Sequence, residues 1–130
     1  MSASARVKGH SFERTITHMI DDDLGIRTSR ILDQYREGNL GDIELGPFII
    51  ECKRYAKGAE PQAAWWTQAW AAGEHMNLIP ILVFKFDYRQ IQAVVPLYLI
   101  APNYPKEKQY TAQVSWDTLM MLIREDLNGD

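Results

Sequence analysis

The sequence predicts an α/β domain in which a helix precedes three strands, a second helix and a further strand. Three observations support this order. Apolar residues recur at helical spacing between about Ser11 and Asp22. A Gly46-Pro47 turn joins two short β-prone runs. A helical segment then separates the second run from a long apolar strand, which is typical of a parallel strand–helix–strand crossover.

The first helix is predicted from one apolar face. Phe12, Ile16, Met19 and Ile20 follow the i, i+4, i+7, i+8 spacing of an amphipathic helix. Gly25 follows them and predicts the end of the helix.

The middle of the chain alternates between strand and helix signals. Residues 26–34 contain a strand candidate, and residues 35–41 form a polar loop. Pro61 suits the first turn of a helix that we expect to stop at Gly73. The apolar run at residues 78–86 is long enough for a central strand.

The C-terminal third predicts two more strands and a helix. Residues 93–100 form a strand that Pro96 would confine to a sheet edge or a bulge. Residues 110–114 add a short strand, and Ser115 caps a final amphipathic helix.

Composition bounds the class of protein. The 130 residues predict a single domain spanning residues 1–130, with residues 1–8 flexible. No apolar run approaches the ~20 residues of a membrane span, and the N-terminus lacks the apolar core of a signal peptide, so we expect a cytoplasmic protein. The lone Cys52 excludes an internal disulfide and a Cys-based zinc site, and we interpret it as a strand residue facing the core. The net charge of −3 is not typical of nucleic-acid-binding proteins.

The hairpin around Gly46-Pro47 places two acids together. If the turn has two residues, Leu45 faces Phe48 and Asp42 lies opposite Glu51. Two like charges in that arrangement are destabilising, so a cation between them would make physical sense.

Magnesium is the ion that such a site favours, because it prefers carboxylate, carbonyl and water oxygens. Asp42, Glu51 and the backbone carbonyl of Cys52 would supply ligands, and Lys53 would orient water or stabilise charge on a phosphate. The alternative is a solvated hairpin face with an ordinary Glu/Lys pairing.

Asp42 followed by Glu51-Cys52-Lys53 at the end of an apolar strand resembles the motif of the PD-(D/E)XK nuclease superfamily, although Gly41 replaces the proline of that name. The segment KGHSFER at residues 8–14 is similar to the Lys-Gly, three residues, Glu-Arg signature of archaeal-type Holliday-junction resolvases and their phage relatives. The similar segments run from about residue 8 to residue 86. This resemblance implies a restriction-endonuclease-like core of αβββαβ order, with a mixed sheet flanked by helices.

The resemblance also implies further site residues. Glu13 becomes a candidate third acid near the metal, whereas the alternative is a carboxylate that only favours the helix dipole. Gln68 matches the polar residue that the superfamily often carries on the helix after Glu-x-Lys, with Gln62 as the second choice. An exposed helical glutamine without a catalytic role is the alternative for both.

Candidate DNA contacts come from the signature and from an uneven distribution of positive charge. The resemblance implies phosphate contacts from Lys8 and Arg14. A local patch can bind a phosphate backbone whatever the net charge, and solvated surface residues are the alternative. The further candidates are Arg27, Arg30, Arg36, Arg54, Lys57 and Lys85.

We therefore expect a Mg²⁺-dependent DNA endonuclease, with Mn²⁺ able to substitute, that acts as a homodimeric Holliday-junction resolvase on four-way DNA junctions. If the chain is encoded by a phage, its compartment would be the host cytoplasm. The alternatives are a nuclease of the same chemistry acting on another DNA structure, and a non-catalytic DNA-binding module with the same fold.

Overall fold

The computed structural model describes residues 3–31 and 41–129, and it confirms the predicted αβββαβ order. The described elements are α1 (Ala3–Leu24), β1 (Ser29–Arg30), β2 (Ile43–Leu45), β3 (Phe48–Tyr55), α2 (Ala63–Met76), β4 (Ile79–Phe86), β5 (Gln92–Pro96), β6 (Thr111–Ser115) and α3 (Trp116–Asn128). None of these helices, within the described ranges, is long and apolar enough to cross a bilayer.

The sheet is mixed, as predicted. Its six described strands lie in the order β1-β2-β3-β4-β5-β6. Only the β3–β4 pair among them is parallel, because α2 returns the chain to the same end of the sheet. β3 and β4 lie at the centre of the sheet. The apolar half of β3 pairs with both β2 and β4, whereas its charged half, from Glu51 onward, pairs with β4.

Helices cover both faces of the sheet. Apolar residues of α1 and α3, including Ile16 and Leu119, pack with Ile50 and Ile81 in one core cluster. Residues of α2 pack with the alternate side chains of β4 in a second cluster, which includes Trp65, Ala69, Leu82 and Phe84. Because successive strand residues point to opposite faces, the apolar run of β4 is buried on both sides.

Helix α1 starts earlier than the apolar spacing indicates. It begins at Ala3, not near Ser11, so the predicted start was wrong. Residues 3–8 contain alanine, arginine and lysine, which are strong helix formers, and they lack proline. The predicted end is confirmed, because Gly25 has a φ of 69° and its N–H donates to the Asp21 carbonyl.

Helix α2 continues past its predicted end at Gly73 and stops at Met76, with Asn77 in the left-handed conformation. Gly73 serves packing instead of termination. A Cβ at this position would lie 2.8 Å from the Leu78 carbonyl oxygen, so the absence of a side chain lets the following strand approach the helix.

Strand β5 is not an edge strand, which corrects the inference from Pro96. It pairs with β4 on one side and β6 on the other, and Pro96 is its last residue, opposite Thr111. After Pro96 the chain forms a 3₁₀ turn over Leu97–Leu99, so the strand is shorter than the predicted 93–100. Proline is tolerated there because the regular ladder ends with it.

Candidate active site

The hairpin register is the predicted one. Ile43 pairs with Ile50, Glu44 with Ile49, and Leu45 with Phe48. Asp42 immediately precedes β2, and its N–H donates to the Ile50 carbonyl at 3.0 Å.

The carboxylate of Asp42 is also held by the backbone of β3. Its Oδ2 accepts a hydrogen bond from the Cys52 N–H at 2.7 Å. The aspartate carboxylate is thereby fixed beside the Glu51-Cys52 peptide.

Asp42 and Glu51 are both buried, with 3% and 4% of their surface exposed. Burial raises the pKa of the Cys52 thiol well above its usual range, and the carboxylates of Asp42, Glu13 and Glu51 raise it further, while Arg30 opposes them. All four charged groups therefore act on one point at the end of β3. The three predicted acids therefore lie within electrostatic range of Cys52, which itself packs partly buried against the α1 side of the core.

Glu13 reaches this cluster from α1 and is 6% exposed. Its Oε1 lies 3.5 Å from Nη2 of Arg30, which is on β1 opposite Ile43. The arginine, predicted only as a DNA contact, thus joins the edge of the sheet to the acid on the helix. No local signal in the sequence indicates this ion pair, because its members are separated by the turn between α1 and β1.

The donor set suits a hard divalent cation. Two buried carboxylates side by side are costly without a compensating positive charge, and magnesium typically takes one or two carboxylates together with waters and substrate phosphate. Within residues 3–31 and 41–129, however, no group of three or more His, Cys, Asp and Glu side chains is arranged to hold a metal ion. The roles of Asp42 and Glu51 as ligands, and of Glu13 as a third ligand, stay predictions.

Lys53 lies two residues beyond Glu51 on β3 and is half-buried. Strand alternation places both side chains on the face that α2 covers, and Cys52 on the face of α1. Gln68 and Gln62 are exposed on and next to α2, and Gln62 is the N-cap residue without a side-chain capping bond. Their assignment as the phosphate-proximal glutamine stays a prediction.

The remaining candidate DNA contacts differ in environment. Arg14, Arg27 and Lys57 are exposed. Arg54 forms an ion pair with Asp87, a partner that the sequence did not indicate, and the ammonium of Lys85 donates to the Phe86 carbonyl at 3.3 Å. The side chain of Lys8 and all of Arg36 lie outside the described residues.

Comparison with known proteins decides the family. The family model described as "Phage putative PDDEXK endonuclease" matches residues 4–126, which is nearly the whole chain. The chain belongs to this family. No curated protein sequence matches it.

A solved structure shows the same fold. The structure of Archaeoglobus fulgidus Hjc, a Holliday junction resolvase from an archaeal hyperthermophile, aligns with a TM-score of 0.50 and 13% sequence identity. The alignment covers 82% of this chain and 86% of that one. Family and fold together imply an endonuclease, which hydrolyses phosphodiester bonds in DNA, and a general dependence of the family on divalent metal.

Proposed function

We propose that this family member is a Mg²⁺-dependent endonuclease that cuts four-way DNA junctions as a homodimer. One observation carries the catalytic part of the proposal. Asp42 and Glu51 are both buried, and the Asp42 carboxylate is held by the Cys52 N–H directly after Glu51.

The metal would be held by the carboxylates of Asp42 and Glu51 and by the backbone carbonyl of Cys52. When bound, Mg²⁺ supplies an activated water and polarises the scissile phosphate. Mn²⁺ prefers the same oxygen ligands and would substitute for it. The hydrogen bond that the Cys52 N–H donates to Asp42 Oδ2 would orient this carboxylate for the ion.

The side chains around the acids would act on the substrate. The Lys53 ammonium would orient the attacking water and stabilise charge on the phosphate, and Gln68 or Gln62 would contact that phosphate from the α2 side. Glu13 would complete the acidic cluster, with Arg30 setting its position.

Positive side chains near the site would hold the DNA backbone. The exposed Arg14, Arg27 and Lys57 are the best placed of the described candidates, because phosphate contact needs solvent access. Lys8, Arg30, Arg36, Arg54 and Lys85 complete the proposed set.

The junction substrate and the dimer are supported by two arguments. The signature at residues 8–14 resembles that of junction resolvases, and the archaeal protein of the same fold is itself such an enzyme. A resolvase must cut two opposed strands, so a two-fold symmetric pair of sites suits the task. The tryptophan-rich surface of α2 and the C-terminal half are the candidate contact surfaces for the second subunit.

Cleavage of a labelled four-way junction, compared with linear duplex of the same sequence, tests the function. We expect Mg²⁺-dependent cutting of the junction, no cutting in EDTA, and loss of cutting in Asp42→Asn with DNA binding retained. Equal cutting of both DNAs would support the nuclease activity and contradict the specificity for four-way junctions. Binding without any cutting would identify a non-catalytic module, and normal cutting by Asp42→Asn would overturn the site.

The dimer is tested separately by sedimentation of the free protein and of its complex with the junction. We expect two chains per junction. One chain per junction, combined with normal cutting, would overturn the dimer without affecting the site.

A further inference from the structure

An open cavity of about 400 Å³ lies beside α2, and none of the predicted acids lines it. Its floor is apolar and is formed by Val94 of β5, which is 7% exposed, above the fully buried Leu82 of β4. Its walls carry the indole of Trp66, the hydroxyl of Thr67, the ammonium-bearing Lys108 and the amide of Gln113. Nothing in the proposed cleavage mechanism uses these groups.

The fold builds this cavity because α2 covers only part of its face of the sheet. The helix packs on β3 and β4, whereas β5 and β6 extend beyond it. The segment between β5 and β6 closes the outer side. It is tied to α2 by a 2.8 Å hydrogen bond from Trp66 Nε1 to the Lys108 carbonyl, and the Lys108 ammonium lies 3.5 Å from Thr67 Oγ1.

The chemistry of the walls suits a nucleotide. A flat aromatic ring beside an apolar floor favours burial and stacking of a base, because every base has a π-face. Hydroxyl and amide groups can pair with base edges, and a lysine at the rim attracts a phosphate. The cavity volume lies near the lower end of the range for ligand pockets. It is adequate for one nucleotide.

The strand register relates the cavity to the acids. Glu51 pairs with Leu82, Leu82 with Val94, and Val94 with Gln113, so these residues form one row across the sheet. Paired residues point to the same face, and three strand spacings of about 4.8 Å separate the ends of the row by roughly 14 Å. That is the length of about four stacked nucleotides at 3.4 Å each.

We infer that this cavity binds one unpaired nucleotide of the DNA substrate, with its base between Trp66 and the apolar floor and its phosphate at Lys108. The inference rests on DNA being the substrate, as proposed above. The cavity would bind an unpaired nucleotide, such as one at a branch point, and would add this binding site to the centre that is proposed to cut the DNA backbone.

Binding of a six-nucleotide oligothymidylate in EDTA tests the inference without cleavage. We expect the strand to quench tryptophan fluorescence, and we expect Trp66→Phe to remove most of the quenching. An abasic strand of the same length carries the same phosphates but no bases, and we expect it to bind about tenfold more weakly. Equal affinity for the two strands, or no binding of either, would overturn the inference.

Paired variants locate the bound strand. Thr67→Phe fills the cavity from an exposed helical position, and we expect at least about tenfold weaker binding. Ala64→Phe adds the same ring at an exposed position of α2 outside the cavity and should bind normally. Lys108→Ala should weaken binding several-fold, whereas Lys106→Ala, on a lysine that lies over the Tyr98 ring, should not. Identical effects within each pair would overturn the site.

Cleavage assays keep the two proposals separate. If oligothymidylate binds in the cavity but no DNA is cut with Mg²⁺, the nuclease proposal fails and the nucleotide site stands. If Thr67→Phe cuts the junction and binds oligothymidylate like the wild type, the nucleotide site fails and the nuclease stands.

Discussion

The two halves of β3 have opposite environments. Phe48, Ile49 and Ile50 are at most 1% exposed and pack against helices on both faces of the sheet. From Glu51 onward the same strand carries a carboxylate, a thiol and an ammonium in succession. The apolar half sets the hairpin register, and the register determines where the charged half places its groups.

The comparison shows how the site is stabilised. Burial of the apolar side chains favours folding, whereas two carboxylates side by side oppose it. Stability gained in the first half therefore offsets the cost of the arrangement in the second, as is common where function requires buried charge. Substitutions in the two halves should have different consequences.

The largest effect should come from Glu51→Gln, in the charged half. Loss of this carboxylate, a proposed metal ligand, should slow cutting of the proposed junction substrate by at least about a thousandfold. The free energy of unfolding should stay the same or rise without metal, because one of two neighbouring buried charges is removed. Single-turnover cleavage and urea unfolding measure the two quantities.

The exposed Glu44, on the other strand of the same hairpin, provides the matched control for that variant. Glu44→Gln should change neither cutting nor stability. Near-normal cutting by Glu51→Gln would refute the division of β3 into a structural and a functional half.

Ile50→Ala in the apolar half should have the reverse effect. Ile50 is fully buried and pairs with Ile43, so its truncation leaves a cavity and should lower the free energy of unfolding by about 3 kcal/mol. Ile100→Ala, at a residue that is 46% exposed, should cost less than about 0.5 kcal/mol. Equal stabilities of the two variants in urea would show that the apolar half does not stabilise the hairpin.

The hairpin could be predicted because its geometry is local. A two-residue turn and an apolar alternation fix the register, and together they place Asp42 beside the Glu51-Cys52 peptide. The order of the elements followed from the same periodicities, as the confirmed αβββαβ core demonstrates.

The features that could not be predicted from the sequence depend on contacts between distant segments of the chain. The Glu13–Arg30 pair requires α1 to lie across the sheet, and Gly73 stays within α2 because the next strand passes close to it. The cavity beside Trp66 exists only because the segment before β6 folds back onto α2. Helix-stop and strand-edge rules for single residues cannot anticipate such packing.

Arg30→Gln tests whether Arg30 on β1 and Glu13 on α1 act together with the charged half of β3. Without the guanidinium, the Glu13 carboxylate loses a partner at 3.5 Å, and cutting should fall about 10- to 100-fold while Mg²⁺-free affinity for the junction is retained. Arg30→Lys should recover part of the rate, since it keeps the charge. A loss confined to DNA affinity would make Arg30 a phosphate contact instead of a residue that positions Glu13.

The smallest effect concerns the chemistry of Cys52, where the two halves of β3 meet. Burial, followed by the charges of Asp42, Glu13 and Glu51, raises the pKa of its thiol, so the thiol stays protonated at pH 8. Alkylation by iodoacetamide should therefore be at least about tenfold slower in the folded protein than in urea. Glu51→Gln should speed the reaction, because it removes one of the charges that disfavour the thiolate.

The raised pKa of the Cys52 thiol also predicts how the free energy of unfolding changes with pH. The folded thiol keeps its proton when the unfolded one, with an ordinary pKa of about 8.5, has lost it. Its contribution to stability is thus complete below that pH and declines as the pH rises towards the folded pKa. Cys52→Ala should show a weaker fall of unfolding free energy between pH 8 and 10 than the wild type, whereas identical slopes would mean that burial and the neighbouring acids do not raise the pKa of this thiol.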